Sequence, residues 1–288
     1  MDDRRFIEII CDHRQRVSNY KDMVVAYYDR VTDAYRELWG DSFHLPVFSN
    51  SRTLADAIAQ IEDRIALEGG FERDSEVLDV GCGVGGPTLR LARITGARLI
   101  GINLVPQQIE IARRRAAQQG FGDRVQFGVA DGMCLPFGNA HFDGVTVFES
   151  GCHMPDKPGF YRECARVLKP GGRFLGIDWM KSAGLPVADE LRYIEPICRL
   201  HGIPGLIGID DFRVQLVQAG LSPEVVEDLA SRTGLLQAPA PDPAPDWTTV
   251  SSRGSPPAQE LLYLGGDALT RATQSGAFVL CHWIALRT

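Results

Sequence analysis

One segment, Val77–Ala92, constrains the fold more than any other part of this chain, and it reads VLDVGCGVGGPTLRLA. Its first four residues are mostly apolar and predict a buried strand of a parallel sheet, and the pattern after Pro87 predicts a helix. Between them, glycines let the backbone approach a ligand where a side chain would block it: Gly81, Gly83, Gly85 and Gly86. A strand, a glycine turn and a helix N-terminus in this order predict a ligand-binding α/β domain.

The alternation of strand and helix continues to about residue 180. Apolar and β-branched runs, with helical patterns between them, predict further strands at residues 98–103, 124–131, 141–149 and 173–180. A helix from Gly159 is predicted to end at the Lys-Pro-Gly-Gly run. Near the end of the chain, SPEVVEDL and FVLCHWIALR are predicted to pair as two more strands. Repeated βα units of this length imply a parallel sheet whose ligands lie beyond the carboxyl ends of its strands.

This organisation predicts four parts. They are a helical cap or arm (residues 1–70), a Rossmann-like core (71–180), a cap insertion with sheet-completing elements (181–276) and a final strand (277–288). Helical spacing of Phe6, Ile9 and Ile10 supports the first part, which could pack across subunits to form a homo-oligomer. The insertion includes a stiff proline-rich loop at residues 238–246. The expected fold is an α/β, Rossmann-like, doubly wound, mostly parallel seven-stranded sheet with a mainly helical cap.

Composition excludes several classes of function. The formal net charge of −7 gives no attraction for nucleic acid or anionic lipid, and the one tight basic cluster, Arg113–Arg115, is predicted to lie on a solvated helix face. The seven cysteines are scattered without a CxxC pair, which indicates reduced thiols rather than disulfides or a zinc site. No signal peptide or membrane-spanning run is visible. We therefore expect a cytoplasmic protein without a metal, which binds neither nucleic acid nor membranes.

Four stretches resemble a known family: YYDRVTDAYRELWGDSFH, DVGCGVGGP, GINLVPQQI and FESGCHMPDK, which begin at Tyr27, Asp79, Gly101 and Phe148. Together they resemble the class I S-adenosylmethionine-dependent methyltransferases, and within them the sterol C24-methyltransferase-like and terpenoid C-methyltransferase group. The resemblance implies S-adenosylmethionine as cofactor and a small apolar acceptor. The GxGxGG spacing after Asp79 disfavours a nicotinamide dehydrogenase.

The resemblance also implies which residues bind the cofactor. The methionyl group would lie at Gly81 and Gly83, after Asp79, where backbone N–H groups suit its carboxylate. Asn103, helped by Gln108, would hold the ribose hydroxyls, because an amide offers both a donor and an acceptor. The adenine would meet the segment after the third strand, at Asp131, Gly132 and Met133.

Two residues are candidates for the chemistry. Glu149 ends the fourth strand, and a carboxylate there could stabilise the carbocation formed when an alkene carbon is methylated, and then accept a proton. If the acceptor were instead a hydroxyl or an amine of a natural product, His153 would be the general base, with Asp156 orienting it. We expect carbon methylation of an isoprenoid or sterol-like alkene, with O- or N-methylation as the alternative.

Aromatic residues are expected to line the acceptor site. Their negative ring faces attract cations, so they would stabilise the same carbocation. A cap built from both ends of the chain would close over the acceptor and exclude water. The predicted substrate-binding residues are Tyr27, Tyr28, Trp39, Phe43, His44, Phe148 and Trp179.

Overall fold

A computed structural model of the chain describes residues 1–49, 51, 53–238 and 257–288. Seven strands form one sheet in the order β3-β2-β1-β4-β5-β7-β6, in which β1 to β5 run parallel and β7 runs antiparallel to both of its neighbours. This confirms the predicted doubly wound, mostly parallel sheet. The strands are β1 (Glu76–Val80), β2 (Arg98–Asn103), β3 (Val125–Val129), β4 (Phe142–Phe148), β5 (Leu168–Lys181), β6 (Leu221–Asp228) and β7 (Phe278–Arg287).

Helices precede the sheet and connect its parallel strands, except that no α-helix lies in the described segment between β3 and β4. Further helices follow β5 and β6. A π-helical turn, Glu190–Ile194, joins two short helices, α8 and α9. The helices are α1 (Asp3–Cys11), α2 (His13–Ser18), α3 (Tyr20–Trp39), α4 (Leu54–Gly69), α5 (Gly86–Thr95), α6 (Pro106–Gln118), α7 (Lys157–Val167), α8 (Val187–Asp189), α9 (Glu195–Leu200), α10 (Ile209–Gln218) and α11 (Ala258–Gln274).

The fifth strand begins earlier than predicted. The helix predicted to end at the Lys-Pro-Gly-Gly run ends just before it, at Val167, and Leu168 already pairs with Phe142 of β4. Pairing then resumes between Gly144 and Arg173, where the fifth strand is predicted to start. Gly171 has a φ of +76°, which a glycine adopts without a steric penalty. The run therefore ends the helix and makes a turn at the start of β5.

Apolar side chains are buried on both faces of the sheet. On one face, helices α4, α5 and α6 pack together with the N-terminal helices. On the other, α7 and α10 pack around Trp283 of β7, whose ring lies 5.2 Å from those of both Phe174 and Phe212. The sheet is thus covered on both sides, as a parallel sheet requires.

A buried ion pair joins the N-terminal helices to the segment after β5. Arg16 is fully buried, and its guanidinium donates to both carboxylate oxygens of Glu195 at 3.0 and 2.7 Å and to the Ile10 carbonyl at 2.7 Å. Phe6, Ile9 and Ile10 of α1 are buried within the chain itself. Two regions far apart in sequence therefore pack together beside the sheet.

Most of the predicted proline-rich loop at residues 238–246 lies outside the described residues. Within the described ranges, no helix combines the length and the apolar character needed to cross a lipid bilayer.

We predict that Gly176→Ala destabilises the protein more than Gly128→Ala. A Cβ at Gly176 in β5 would lie 2.0 Å from the Val147 carbonyl oxygen, whereas a Cβ at Gly128 in edge strand β3 meets no atom within 4 Å. Because the obstacle is backbone of a neighbouring strand, we expect Gly176→Ala to cost about 1–3 kcal/mol. Urea unfolding of both variants measures this difference. Equal free energies of unfolding would contradict the packing described here.

Candidate active site

The carboxyl ends of β1, β2 and β4 open onto a cleft of about 800 Å³, measured out to its open mouth. Helix α3 covers it with one face, formed by Tyr20, Val24 and Tyr28 at intervals of four residues. Of the residues predicted from the sequence, the following line the cleft: Tyr28, Phe43, His44, Asp79, Gly81, Gly83, Asn103, Gln108, Gly132, Phe148, Glu149 and His153. Outside its lining lie Tyr27, Trp39, Asp131, Met133 and Trp179.

The glycine turn has a left-handed backbone at three positions. Gly81, Gly83 and Gly85 have φ values of +79°, +54° and +83°. The Gly81 and Cys82 amides donate to the Ile102 carbonyl at 2.8 and 3.0 Å, which fixes the turn to β2. A Cβ added to Gly83 would find its nearest neighbour, the Phe43 ring, 4.0 Å away. The backbone at Gly83 is therefore open to the cleft, as a ligand-binding turn requires.

Neighbouring side chains hold this turn in place. Asp79 is buried and accepts hydrogen bonds from the hydroxyls of Thr88 in α5 and Thr146 in β4. Burial raises the pKa of Asp79 to about 6. Arg113 and Arg114 are exposed, as predicted for a solvated basic face. Arg115 differs, because it donates to the Val84 carbonyl and pairs with Asp41 at 3.1 Å. One residue of the predicted basic cluster thus contributes to the architecture of the cleft.

The amides predicted to hold the ribose form a short chain of hydrogen bonds. Asn103 accepts from the Leu104 amide at 3.0 Å and donates to the Gln108 carbonyl oxygen. Gln108 in turn donates to the Thr32 hydroxyl of α3 at 2.9 Å. This network orients both amides at the cleft and ties them to the covering helix.

Asp131 lies beside the cleft rather than in its lining. Its carboxylate accepts from the Tyr20 hydroxyl and the Lys21 ammonium, each at 2.7 Å, and from the Met133 amide at 2.9 Å. Burial would raise the pKa of Asp131, but the hydrogen bonds from Lys21 and Tyr20 outweigh it and hold the pKa below its usual value. Its neighbours Ala130 and Gly132 do line the cleft.

Glu149 is a buried carboxylate held by neutral donors. It accepts from the Leu45 amide at 2.8 Å and from the indole Nε1 of Trp179 at 2.6 Å. Its φ is +52°, which is uncommon for a residue with a side chain and marks a constrained site. Burial raises the pKa of Glu149 to about 8, although the charge of nearby His44 opposes the shift. Trp179 therefore positions this carboxylate instead of lining the cleft.

His44 carries a positive charge, and the carboxylate that compensates it is Glu62 rather than Glu149. Its Nδ1 lies 3.1 Å from the Leu45 carbonyl and its Nε2 lies 3.2 Å from Glu62, so both ring nitrogens face acceptors. Burial lowers the pKa of His44, but the hydrogen bond to Glu62 outweighs it, and the net shift is upward. Ser42 also donates to Glu62 at 2.6 Å.

His153 is held as a neutral imidazole. Its Nδ1 lies 3.0 Å from the Gly202 carbonyl, to which it must donate, so its Nε2 accepts from the Tyr28 hydroxyl at 3.1 Å. Burial lowers the pKa of His153 to about 4. The prediction that Asp156 orients it is wrong, because Asp156 is exposed and caps α7 by accepting from the Gly159 amide at 3.0 Å.

The remaining predicted aromatic residues support the cleft from behind. Tyr27 is fully buried, and its hydroxyl lies 3.3 Å from Nδ1 of His201 and 3.4 Å from the Tyr35 hydroxyl. The Trp39 ring lies 6.1 Å from that of Tyr35, which stacks on Phe43 at 5.1 Å. These contacts form an aromatic layer behind Tyr28 and Phe43.

Several contributors were not predicted from the sequence. Tyr20 could have been found from its helical spacing to Tyr28, since both lie on one face of α3. Glu62 occupies a buried position of α4, which no motif indicates. Lys157 is buried and donates to three carbonyls, those of Gly151, Cys152 and Met154, at 2.6–2.8 Å. Lys157 thereby fixes the turn that carries His153. No sequence pattern indicates that this lysine is buried.

We predict that His153 stays neutral, with its proton on Nδ1, down to about pH 5. Its folded-state pKa lies below its ordinary value of 6.5, so the unfolded chain binds the extra proton first. The stability that this group contributes is therefore complete above about pH 6.5 and is lost as the pH falls toward about 4. Nitrogen-15 NMR of the imidazole, assigned with His153→Asn, measures the tautomer and the titration. A protonated ring at about pH 6 would contradict the assignment.

The chain is similar to known methyltransferases. A family model described as a methyltransferase domain matches residues 78–176. The chain is 38% identical over 218 residues to the sterol 24-C-methyltransferase of Saccharomyces cerevisiae, a match that covers 75% of this chain and 57% of that protein. It is 34% identical over 231 residues to the 27-O-demethylrifamycin SV methyltransferase of Amycolatopsis mediterranei, covering 78% of this chain and 79% of that one.

Solved structures share the fold over nearly the whole chain. The crystal structure of the cyclase SpnF has a TM-score of 0.74 and 26% identity to this chain, and the match covers 93% of this chain and 96% of that one. The chain spans less than two thirds of the length of the yeast enzyme but most of the Amycolatopsis enzyme. By sequence and by fold, this chain belongs to the class I S-adenosylmethionine-dependent methyltransferases.

Proposed function

We propose that this protein transfers a methyl group from S-adenosylmethionine to a carbon atom of a neutral, apolar isoprenoid or sterol-like alkene. The observation that carries this proposal is Glu149, a buried carboxylate in the lining of an aromatic cleft, next to the glycine turn. The similarity to a sterol 24-C-methyltransferase supports the same reaction class. Because the related fold of SpnF belongs to a cyclase, the fold alone does not decide the chemistry.

The residues at the strand ends fit the cofactor. Gly83 leaves the space that a methionyl group needs, and the Asn103 and Gln108 amides offer donors and acceptors for ribose hydroxyls. Asp131 has a carboxylate beside the cleft for the adenine amino group. When bound, S-adenosylmethionine supplies an electrophilic methyl group on a positively charged sulfur.

Glu149 would act on the charge that the reaction creates. Attack of the alkene π electrons on the methyl carbon would form a carbon–carbon bond while the carbon–sulfur bond of the donor breaks. The bonding electrons would stay on sulfur, which becomes a neutral thioether, and the neighbouring acceptor carbon would become positively charged. A carboxylate stabilises that charge electrostatically, and it accepts the proton whose C–H electrons then form the new double bond. Leu45 and Trp179 orient Glu149 for both roles through their hydrogen bonds.

The rest of the lining suits an acceptor without charge. Tyr28, Phe43 and Phe148 present aromatic rings, which bury apolar surface and attract a cation. Within the part of the chain that the structure describes, no lysine or arginine lines the cleft to bind a phosphate. We propose that the flanking helices α3 and α11, with the segment that holds α8 and α9, act as the cap that excludes water.

The second candidate is O- or N-methylation of a small natural product. The similarity to the 27-O-demethylrifamycin SV methyltransferase favours it, and His153 lines the cleft. Against it, the basic nitrogen of His153 already accepts a hydrogen bond from Tyr28, and the low pKa of His153 makes it a weak base. These contacts make carbon methylation the better-supported proposal.

We predict that S-adenosylhomocysteine binds the protein in isothermal titration calorimetry and that NAD does not. Asp131→Ala should weaken the binding about tenfold, because a hydrogen bond to a charged group contributes about 1.5–3 kcal/mol. Asp29→Ala, at an exposed aspartate on the same covering helix as Tyr20, is the control and should bind normally. Equal affinities of the two variants would remove Asp131 from the cofactor site.

We also predict that Glu149→Gln lowers kcat by about 100-fold or more, since the amide neither stabilises a cation nor accepts its proton. His153→Ala should lower kcat by less than about tenfold. S-adenosylhomocysteine affinity should stay within a few-fold in both variants, which shows that the cofactor site is intact. Activity that survives loss of Glu149 and disappears with His153 would establish the alternative reaction instead.

A further inference from the structure

Glu149 forms no ion pair within the described part of the chain: its two hydrogen-bond donors, the Leu45 amide and the Trp179 indole, are both neutral. We propose that binding of the positively charged sulfonium donor expels a proton from Glu149, and that each turnover returns a proton to Glu149 from the acceptor. This inference rests on the proposed function, and it specifies how one carboxylate serves both donor binding and removal of the acceptor proton.

Among the described residues, the groups that face Glu149 leave it without a counter-ion of its own. His44, on the segment after α3, carries a positive charge, but that charge is hydrogen-bonded to Glu62. Asp178 of β5 adds negative charge, which opposes ionisation of Glu149. The other titratable neighbours are neutral, because burial raises their pKa values above the ordinary ones. They are Tyr28 and Tyr35 of α3 and Cys152 of the turn just after Glu149.

Burial therefore favours the acid form of Glu149 in the free protein. A lone carboxylate is costly to remove from water, and its pKa of about 8 reflects that cost. An opposite charge held in the same cleft favours the ionised form. Glu149 then ionises when a cationic donor binds, and it would keep its proton beside a neutral thioether.

The proton balance closes over one cycle. Donor binding releases the proton of Glu149 to water, and Glu149 becomes the counter-ion of the sulfonium. Methyl transfer moves the positive charge to the acceptor carbon, and loss of a proton from the acceptor to Glu149 neutralises both. The product complex then holds three neutral partners: the acid form of Glu149, the thioether and the new alkene. Glu149 thus discriminates between donor and spent cofactor by charge.

The test is isothermal titration calorimetry at about pH 7 in phosphate and in Tris, two buffers whose ionisation enthalpies differ. The slope of the observed binding enthalpy against the buffer ionisation enthalpy gives the number of protons released on binding. We expect S-adenosylmethionine to release about one proton more than S-adenosylhomocysteine. Protons released by the titratable groups that the two ligands have in common contribute equally to both values and cancel in this difference. Below about pH 8, affinity for the sulfonium should rise up to about tenfold per pH unit relative to affinity for the thioether.

Glu149→Gln should abolish the difference between the ligands, and Glu110→Gln, at an exposed glutamate on α6, should keep it. Equal proton release for both ligands in the natural protein would overturn the inference without any variant. A difference that persists in Glu149→Gln would assign the proton to another group and also overturn it. Absence of binding by both ligands would instead refute the proposed function, and the inference with it.

Discussion

The cleft depends on one electrostatic constraint: the carboxylate of Glu149 is buried and has neutral hydrogen-bond donors, and among the residues that the structure describes no cation forms an ion pair with it. Desolvation of such a group is unfavourable unless the group is neutral or a ligand compensates its charge. Its backbone, with a φ of +52°, is also strained. Unfavourable features of this kind persist where function requires them, and here both concern the residue at the end of β4.

The topology explains how the constrained carboxylate and the glycine turn come together. β1 and β4 are neighbours in the sheet although 61 residues separate the end of β1 from the start of β4. Their carboxyl ends therefore place the turn after Val80 beside Glu149. The segment after α3 closes the arrangement, because it supplies the Leu45 amide and the charged His44. The candidate catalytic and cofactor-binding residues thus follow strand ends, whose positions the sheet fixes.

The sequence predicted the parts of the site that depend on local pattern. The glycine turn, Asn103 and Glu149 all follow recognisable strands, so their place at one edge of a parallel sheet could be foreseen. Contacts between distant segments could not: Leu45 and Glu149 are 104 residues apart. The hydrogen bond from the Trp179 indole to Glu149 could not be foreseen for the same reason, since it depends on tertiary packing. Burial of Lys157 and the pKa of His153 likewise depend on neighbours that no local pattern specifies.

If Glu149 serves a carbocation as proposed, the methyl group must end on carbon. The most direct measurement uses 13C-methyl-labelled S-adenosylmethionine with paired acceptors, isoprenoid alkenes and matched phenols or alcohols, followed by mass and 13C NMR analysis of the products. Carbon methylation would give a labelled methyl bonded to carbon, in a product that keeps one double bond after losing a proton. A labelled methyl found on oxygen or nitrogen, with the alkenes unchanged, would contradict it.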